Sequence, residues 1–346
     1  MIDYSQANIL QVSAHVVGNG VNGDKLRVSS EPLEVADDST HSNLLRYFLS
    51  SFSTPEYYSF TSASEDLNNN VIFKLAAGMF SHPQAFHKST ISIAQHLYDV
   101  TLLPTIRSGE IFITLLSGIL VEYKEVKAVG IFKSESKESY LKLSTGSNIF
   151  RLKTDQGINT GKLDKGCLII NVEKESGYML LVVDVLNKSE AQFWMNDFLM
   201  VRPRADSYRK TQSFLDLTRQ YVDEMDEQFQ VSKADKIDLL NRSMNFFKKK
   251  DQFDQHEFEE EVLEDPSVIE SFRRYERTRS GGNEDKVNNF EISAQAVKRQ
   301  ARVFKSVIKL DKNFHIYIHG NRQLIERGFD EVANKHYYKL YFDHEA

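Results

Sequence analysis

Phosphate binding needs cations held in a fixed array, and four short runs of the chain offer one. The densest, VRPRADSYRK, carries Arg202, Arg204, Arg209 and Lys210 against a single acid, Asp206. Guanidinium forks bond bidentately to phosphate or carboxylate. Asp206 or Ser207 stands where it would cap a following helix, whose first N–H groups could otherwise receive an anion. Both an ordinary capping role and an anion contact are open for this run. A second run, SFRRYERTRS, supplies Arg273, Arg274, Arg277 and Arg279, with Arg273 and Arg277 four apart and so on one helix face. The acids of EFEEEVLEDP, from Glu259 to Asp265, precede it directly, and a helix hairpin could pair them with the arginines. A third run, AVKRQARVFK, places Lys298, Arg299, Arg302 and Lys305 at helical spacing. The fourth, NRSMNFFKKK, holds Arg242 and Lys248 to Lys250, where cations at a helix C-terminus are favoured by the dipole alone. A solvated face is the ordinary reading of the last three runs, and only the fold decides whether the four converge.

Other chemistry is thinly represented. His82 and His87, His315 and His319, and His336 form no HExxH arrangement, and no third ligand accompanies any pair. The acids are scattered, without the spacing of a nuclease carboxylate cluster. No P-loop, dinucleotide-binding glycine pattern, GxSxG or EF-hand loop occurs. Neither a cofactor nor a metal is therefore expected. Cys167, the one cysteine, sits within CLIINV and reads as a small buried hydrophobe in a reducing compartment. Trp194, in QFWMNDFLM, reads as a core residue between domains rather than a platform for bases.

The elements that must position these residues divide the chain in two. A strand in ANILQVSAHVVGNG is expected to turn into VNGDKLRVSS, and SNLLRYFLSSF forms a helix capped by Asp38 or Ser39 with Leu44, Leu45, Phe48 and Leu49 inward. STPEYYSF and NNNVIFKLAAGMFSHP connect onward, with a turn at Asn68 to Asn70, to a helix over STISIAQHLYDVTL that Pro104 ends. Strands follow in GEIFITLLSGILVEY and KEVKAVGIFKSE, with three more between Ser147 and Val185. CLIINV and YMLLVV among these read as a hairpin across EKESG. Helices then dominate: SYRKTQSFLDLTRQYVDEM, a helix from Ser232 through the lysine run, two short helices split at Asp265-Pro266, and SAQAVKRQARVF. Gly281 and Gly282 mark a polar loop between the last two. Two strands turning at Asp311 to Asn313 and an aromatic strand in HYYKLYFDHE close the chain. The expected class is α+β: a mixed, largely antiparallel sheet region over 1–190, then a helix-rich region with late strands over 191–346.

The formal net charge is -6, whereas a typical non-specific DNA binder is basic, so any nucleic-acid contact must be local. The N-terminus lacks the basic and apolar regions of a signal peptide, and no stretch approaches the length of a membrane-spanning helix. A cytoplasmic chain with no membrane partner is expected.

The order of segments is similar to that of the bacterial 37-kDa nucleoid-associated protein family (YejK/NdpA-like). The likeness lies in IFITLLSGILVEYKEVKAVGIFKSE, in GKLDKGCLIINV, and in the junction QFWMNDFLMVRPRADSYRKTQSFLDLTRQYV. There Phe198, Leu199, Arg204, Asp206, Lys210, Phe214 and Leu215 match in kind, and RVFKSVIKLDKNFHIYIHGN and YYKLYFD fit the family's closing layout. The resemblance implies a protein of the bacterial nucleoid that binds double-stranded DNA without a particular sequence preference. It brings no catalytic residue set. Apart from the resemblance, a non-enzymatic role and a homodimer or another protein partner are further expectations. On this reading Arg202, Arg204, Arg209, Lys210, Arg273, Arg274, Arg277, Lys298, Arg299 and Arg302 are the DNA-contacting candidates. Two rivals remain: a protein-interaction or scaffold component, which needs an apolar patch without converging bases, and an unrecognised nuclease, which needs a cleft of carboxylates.

Overall fold

The computed structural model describes residues 2–52, 56–64, 66–146, 149–184, 193–225, 229, 231–279, 289–302, 304, 307–310, 314–317 and 324–344. It has two compact units, Met1–Arg204 and Ala205–Ala346. The boundary expected at 190/191, the Gly281-Gly282 loop and the turn at Asp311 to Asn313 lie outside the described residues.

The first unit is built on an antiparallel sheet. Its strands are β1 (Ile2–Asp3), β2 (Asn8–Val17), β3 (Tyr57–Phe60), β4 (Gly109–Val121), β5 (Lys124–Ser134), β8 (Lys165–Ile170), β9 (Met179–Asp184) and β10 (Val201–Pro203). They run in the order β1-β4-β5-β8-β9-β3-β10, with β2 also on β4. Side chains on a strand alternate between faces. Ile111, Ile113 and Leu115 of β4 therefore join one core, covered by helices α2 (Val71–Ser81) and α3 (Phe86–Val100). Phe112 and Leu116 join the other, covered by α1 (Asp38–Leu49), whose Phe48 stacks on Phe132 with centroids 4.3 Å apart. A strand buried on both faces reads as a continuous apolar run, which is why β4 and β5 stand out in the sequence.

β4 breaks its register between Leu116 and Ile119. Gly118 lies there at φ 69, and a Cβ at this position would stand 1.9 Å from the Gln6 carbonyl oxygen. The bulge lets one strand serve two edge partners, β2 up to Ser117 and β1 at Leu120 and Val121.

Two more strands, β6 (Lys137–Ser144) and β7 (Arg151–Ile158), form a separate antiparallel ribbon between β5 and β8, with every residue of β6 exposed. The KESYLKLS strand is absent from the sequence reading because a ribbon solvated on both faces carries no burial pattern. The connecting segments read from 53 to 83 also hold a strand, β3, and a helix, α2. VIFKLAAGMF is apolar nearly all round and so shows no one-sided stripe. The cap of α1 is Asp37, whose Oδ1 accepts from Thr40 N at 2.8 Å, one residue before the expected pair.

The second unit packs α4 (Ser207–Glu224), α5 (Lys233–Lys249), α6 (Gln255–Phe258), α7 (Pro266–Arg279) and α8 (Ala294–Gln300) around a phenylalanine-rich core. Phe214 lies 4.3 Å from Phe253 and 5.0 Å from Phe258, in tilted and edge-on contacts. Ser232 and Asp235 form a capping box at the start of α5. β11 (Gln252–Asp254) pairs with β12 (Asn289–Glu291). The late strands pair as β13 (Val307–Leu310) with β14 (Phe314–Tyr317), and as β15 (Ile325–Asp330) with β16 (Lys335–Leu340). The chain is an α+β protein with a largely antiparallel sheet.

Candidate nucleic-acid interface

The four basic runs meet different fates, and the difference lies in their counter-charges. Arg204 leaves β10 tied to the sheet: its backbone N–H donates to Tyr57 O at 2.9 Å, and its guanidinium pairs with Glu173. Arg202 is exposed on the same strand, without an ion-pair partner among the described residues. Asp206 caps α4, its Oδ1 accepting from Arg209 N at 2.9 Å. A carboxylate thus holds the position at which this helix could have received a phosphate, so the capping role is the one realised.

The acid-rich and arginine-rich runs form the self-neutralising pair that their adjacency allows. Glu259, buried at 3% exposure, takes Arg273 Nε at 2.7 Å and also its Nη2. Arg274 pairs with Glu270 at 3.3 Å, and Arg279 with Glu224 at 2.7 Å. Arg277 donates to the Arg273 carbonyl at 3.2 Å. In the fourth run, Arg242 bridges Asp238 and Glu264, and Lys250 bridges Glu257 at 3.0 Å and Glu261 at 2.8 Å. Lys248 and Lys249 stay exposed in the last turn of α5, where the helix dipole favours them.

The third run comes together with part of the first. Thr211 Oγ1 accepts from the backbone N–H of Ser293, the cap of α8, at 3.0 Å. From the other end of α8, Arg299 Nη1 donates to the Tyr208 hydroxyl at 3.0 Å. α8 buries Ala296, Val297 and Gln300 and leaves Lys298 and Arg299 outward, with Arg302 exposed just beyond. So α8 lies along the first turn of α4, which carries Arg209 and Lys210. Lys210, Lys298 and Arg302 have no ion-pair partner among the described residues. This convergence of segments whose contacts lie 82 and 91 residues apart could not be read from either alone, because it is made by the packing of α8.

Two buried polar arrays in the first unit bear on catalysis. Ser13 and His15 of β2 face His87 and Thr90 of α3, with Ser13 Oγ and His87 Nδ1 2.9 Å apart. Ser13 is wholly buried, and no carboxylate completes the pair among the described residues. His15 Nδ1 accepts from Ser29 N at 3.1 Å, while its Nε2 is 3.0 Å from Thr90 Oγ1. The Thr90 hydroxyl in turn donates to the His87 carbonyl at 2.7 Å, so His15 is neutral with its proton on Nε2. Burial, and secondarily His87, hold His15 down at about 4.

The second array joins Lys133 to Glu135 at 2.6 Å, and Lys165 to Asp184 at 3.2 Å and Glu135 at 3.7 Å, with all four side chains 4% exposed or less. Each acid is committed to a lysine, which opposes use of the acids to chelate a metal ion. Among the described residues no cluster of three or more His, Cys, Asp or Glu could hold a metal ion. Trp194 is wholly buried in the core of the first unit, 4.7 Å from the Phe198 ring. Cys167 lies in the same core, where burial pushes its thiol up. His319 lies outside the described residues.

No helix of the described residues is long and apolar enough to cross a membrane. No curated protein matches the chain. The family model described as nucleoid-associated protein YejK matches residues 13–335, spanning both units and all four basic runs, and the chain accordingly belongs to that family of nucleoid-associated proteins.

Proposed function

We propose that this protein binds double-stranded DNA without strong sequence preference and without catalysing a reaction on it, as a component of the bacterial cytoplasm and nucleoid. The observation that carries the reading is the meeting of α8 with the first turn of α4. The two segments carry Arg209 and Lys210 on one side of that meeting and Lys298, Arg299 and Arg302 on the other, which supports a local basic surface on a chain whose total charge is -6. Lysines and arginines of this kind position a protein on phosphates and carry no base readout of their own. Arg202 belongs to the same proposal as an exposed cation of the first unit. Arg273, Arg274 and Arg277 contribute less, since two of them would first have to leave Glu259 and Glu270.

The test is binding to a generic duplex across a salt series, beside a Lys210→Ala/Lys298→Ala/Arg302→Ala variant. Each lost phosphate contact lowers the slope of log K against log salt by about 0.9, so the variant's slope should be shallower by about 2 to 3. A folded wild type that binds no duplex at low salt would overturn the reading.

The protein-partner reading has its own observation. The late hairpins and the segment after β16 expose Phe314, Tyr317, Phe329, Tyr337 and Phe342, each more than 45% accessible, and among the described residues β13 pairs with β14 and β15 with β16. Under this reading those aromatics pack against a second copy or another protein, and sedimentation of the purified chain tests for the homodimer.

A further inference from the structure

Among the described residues of the first unit, exposed apolar side chains concentrate on the ribbon of β6 and β7 and just before β7, and the same ribbon carries three cations that are in no ion pair there. The register pairs Tyr140 with Asp155, Lys142 with Lys153, Leu143 with Leu152 and Ser144 with Arg151. Because sides alternate, Lys142, Lys153 and Arg151 share one face, while Leu141, Leu143 and Leu152 share the other. From Ser139 to Thr154 the chain holds these three cations and no acid; the two acids of the strands, Glu138 and Asp155, lie on the cation face but towards its root, opposite Gly157 and Tyr140. Unlike Arg204, Arg242, Lys250, Arg273, Arg274 and Arg279, none of the three has an ion-pair partner among the described residues. Lys142 and Lys153 stand directly opposite each other, a like-charge pairing that costs a sheet stability unless an anion relieves it. Near the far end, Ile149 and Phe150 are each 66% exposed.

The root of the ribbon is fixed. Asp164, 2% exposed just before β8, accepts from the backbone N–H groups of Glu135 at 2.7 Å and Ser136 at 2.9 Å, where the chain leaves β5. Lys137 pairs with Glu110 at 2.6 Å, and Asn159 Nδ2 donates to Glu138 at 2.8 Å. Eight residues at about 3.3 Å each give a shaft of about 26 Å, and a two-stranded ribbon is an element that the major groove of B-DNA admits.

We propose that the β6–β7 ribbon is a DNA-binding arm. Lys142, Arg151 and Lys153 reach the phosphates that flank a groove, the leucine face meets sugars and thymine methyls, and Ile149 and Phe150 wedge against base steps as apolar side chains do in DNA-bending proteins. The choice of polyanion rests on the DNA-binding reading above, but the surface belongs to the other unit and is independent of α8.

Two full-length variants test it: Lys142→Gln/Arg151→Gln/Lys153→Gln, and Ile149→Ser/Phe150→Ser. All five side chains are exposed, so both variants should keep the wild-type circular dichroism and melting temperature. Each is titrated with an end-labelled duplex over a salt series, with energy transfer between the duplex ends reporting bending. The expected results are an affinity loss of tenfold or more with a slope shallower by about 2 to 3 for the first variant, and reduced bending for the second. If both variants match wild type while the Lys210/Lys298/Arg302 variant is impaired, the arm is overturned and the DNA reading stands. If wild type binds no duplex, both fall. Binding of the wild type, but not of the serine variant, to phosphatidylglycerol vesicles in place of duplex would identify the ribbon as a lipid-surface device and overturn the proposal.

Discussion

His15 illustrates how one neutral ring can set a pH dependence. Its folded pKa of about 4 lies below the ordinary value of 6.5 because of burial, so the unfolded chain takes up the proton first. The sign follows: the contribution of His15 to stability is complete above about pH 6.5 and is lost as pH falls towards 4. Unfolding in denaturant at pH 5 should therefore show about 2 kcal/mol less stability from this residue than at pH 7, and His15→Gln should remove most of that difference. A protonated His15 would also turn Nδ1–H against the Ser29 N–H that it now accepts. The buried quartet gives a second outcome at this scale. Lys165→Met takes from Asp184 its lysine partner and leaves Glu135 with Lys133 alone in a buried site, and should cost about 3 to 5 kcal/mol in chemical denaturation. Residue identity alone disclosed little of this. The sequence shows a serine, two histidines and four ordinary charges, and only the β2–α3 packing and the β5–β8–β9 register make them neighbours. The arginines were legible as cations, but their carboxylate partners were not, apart from the adjacent acid-rich run.

Elements were most legible where burial imposes a period. β4, β5, the β8–β9 hairpin, α3, α4 and α5 all follow their expected segments, because each has one or both faces in a core. β6 was missed for want of such a face, and α2 for being apolar on every side. The ribbon's exposure has a thermodynamic corollary. Lys137 and Ile158 are directly paired at its root, so replacing Glu138 to Gly157 by Asn-Gly gives a two-residue hairpin. This deletion should change the unfolding free energy by no more than about 1 kcal/mol. The turn between β4 and β5 offers the converse case. Glu122 and Tyr123 both sit at positive φ, 48 and 66, where neither residue type is at ease. Glu122→Asn/Tyr123→Gly supplies residues suited to such a turn and should stabilise the chain by about 1 kcal/mol, read as a rise in melting temperature.

At the scale of the whole molecule, each unit has hydrophobic cores of its own: two about the sheet in the first, and a phenylalanine cluster in the second. Separate chains of residues 1–204 and 205–346 are expected to fold, each with a cooperative melt by circular dichroism; a fragment that stays unfolded alone would show that its core needs the other unit. The α+β class was legible in composition and period. The unit boundary at Arg204 was not, because β10 carries the expected basic run back into the sheet before the helices begin. Cys167 finally gives the molecule an internal clock. Its thiol lies wholly inside the central sheet, between β5 and β9, and burial holds it protonated. An alkylating reagent can therefore reach sulfur only in molecules whose sheet has opened. With one cysteine in 346 residues, the rate of mass gain under native conditions counts those openings directly, without any label on the protein.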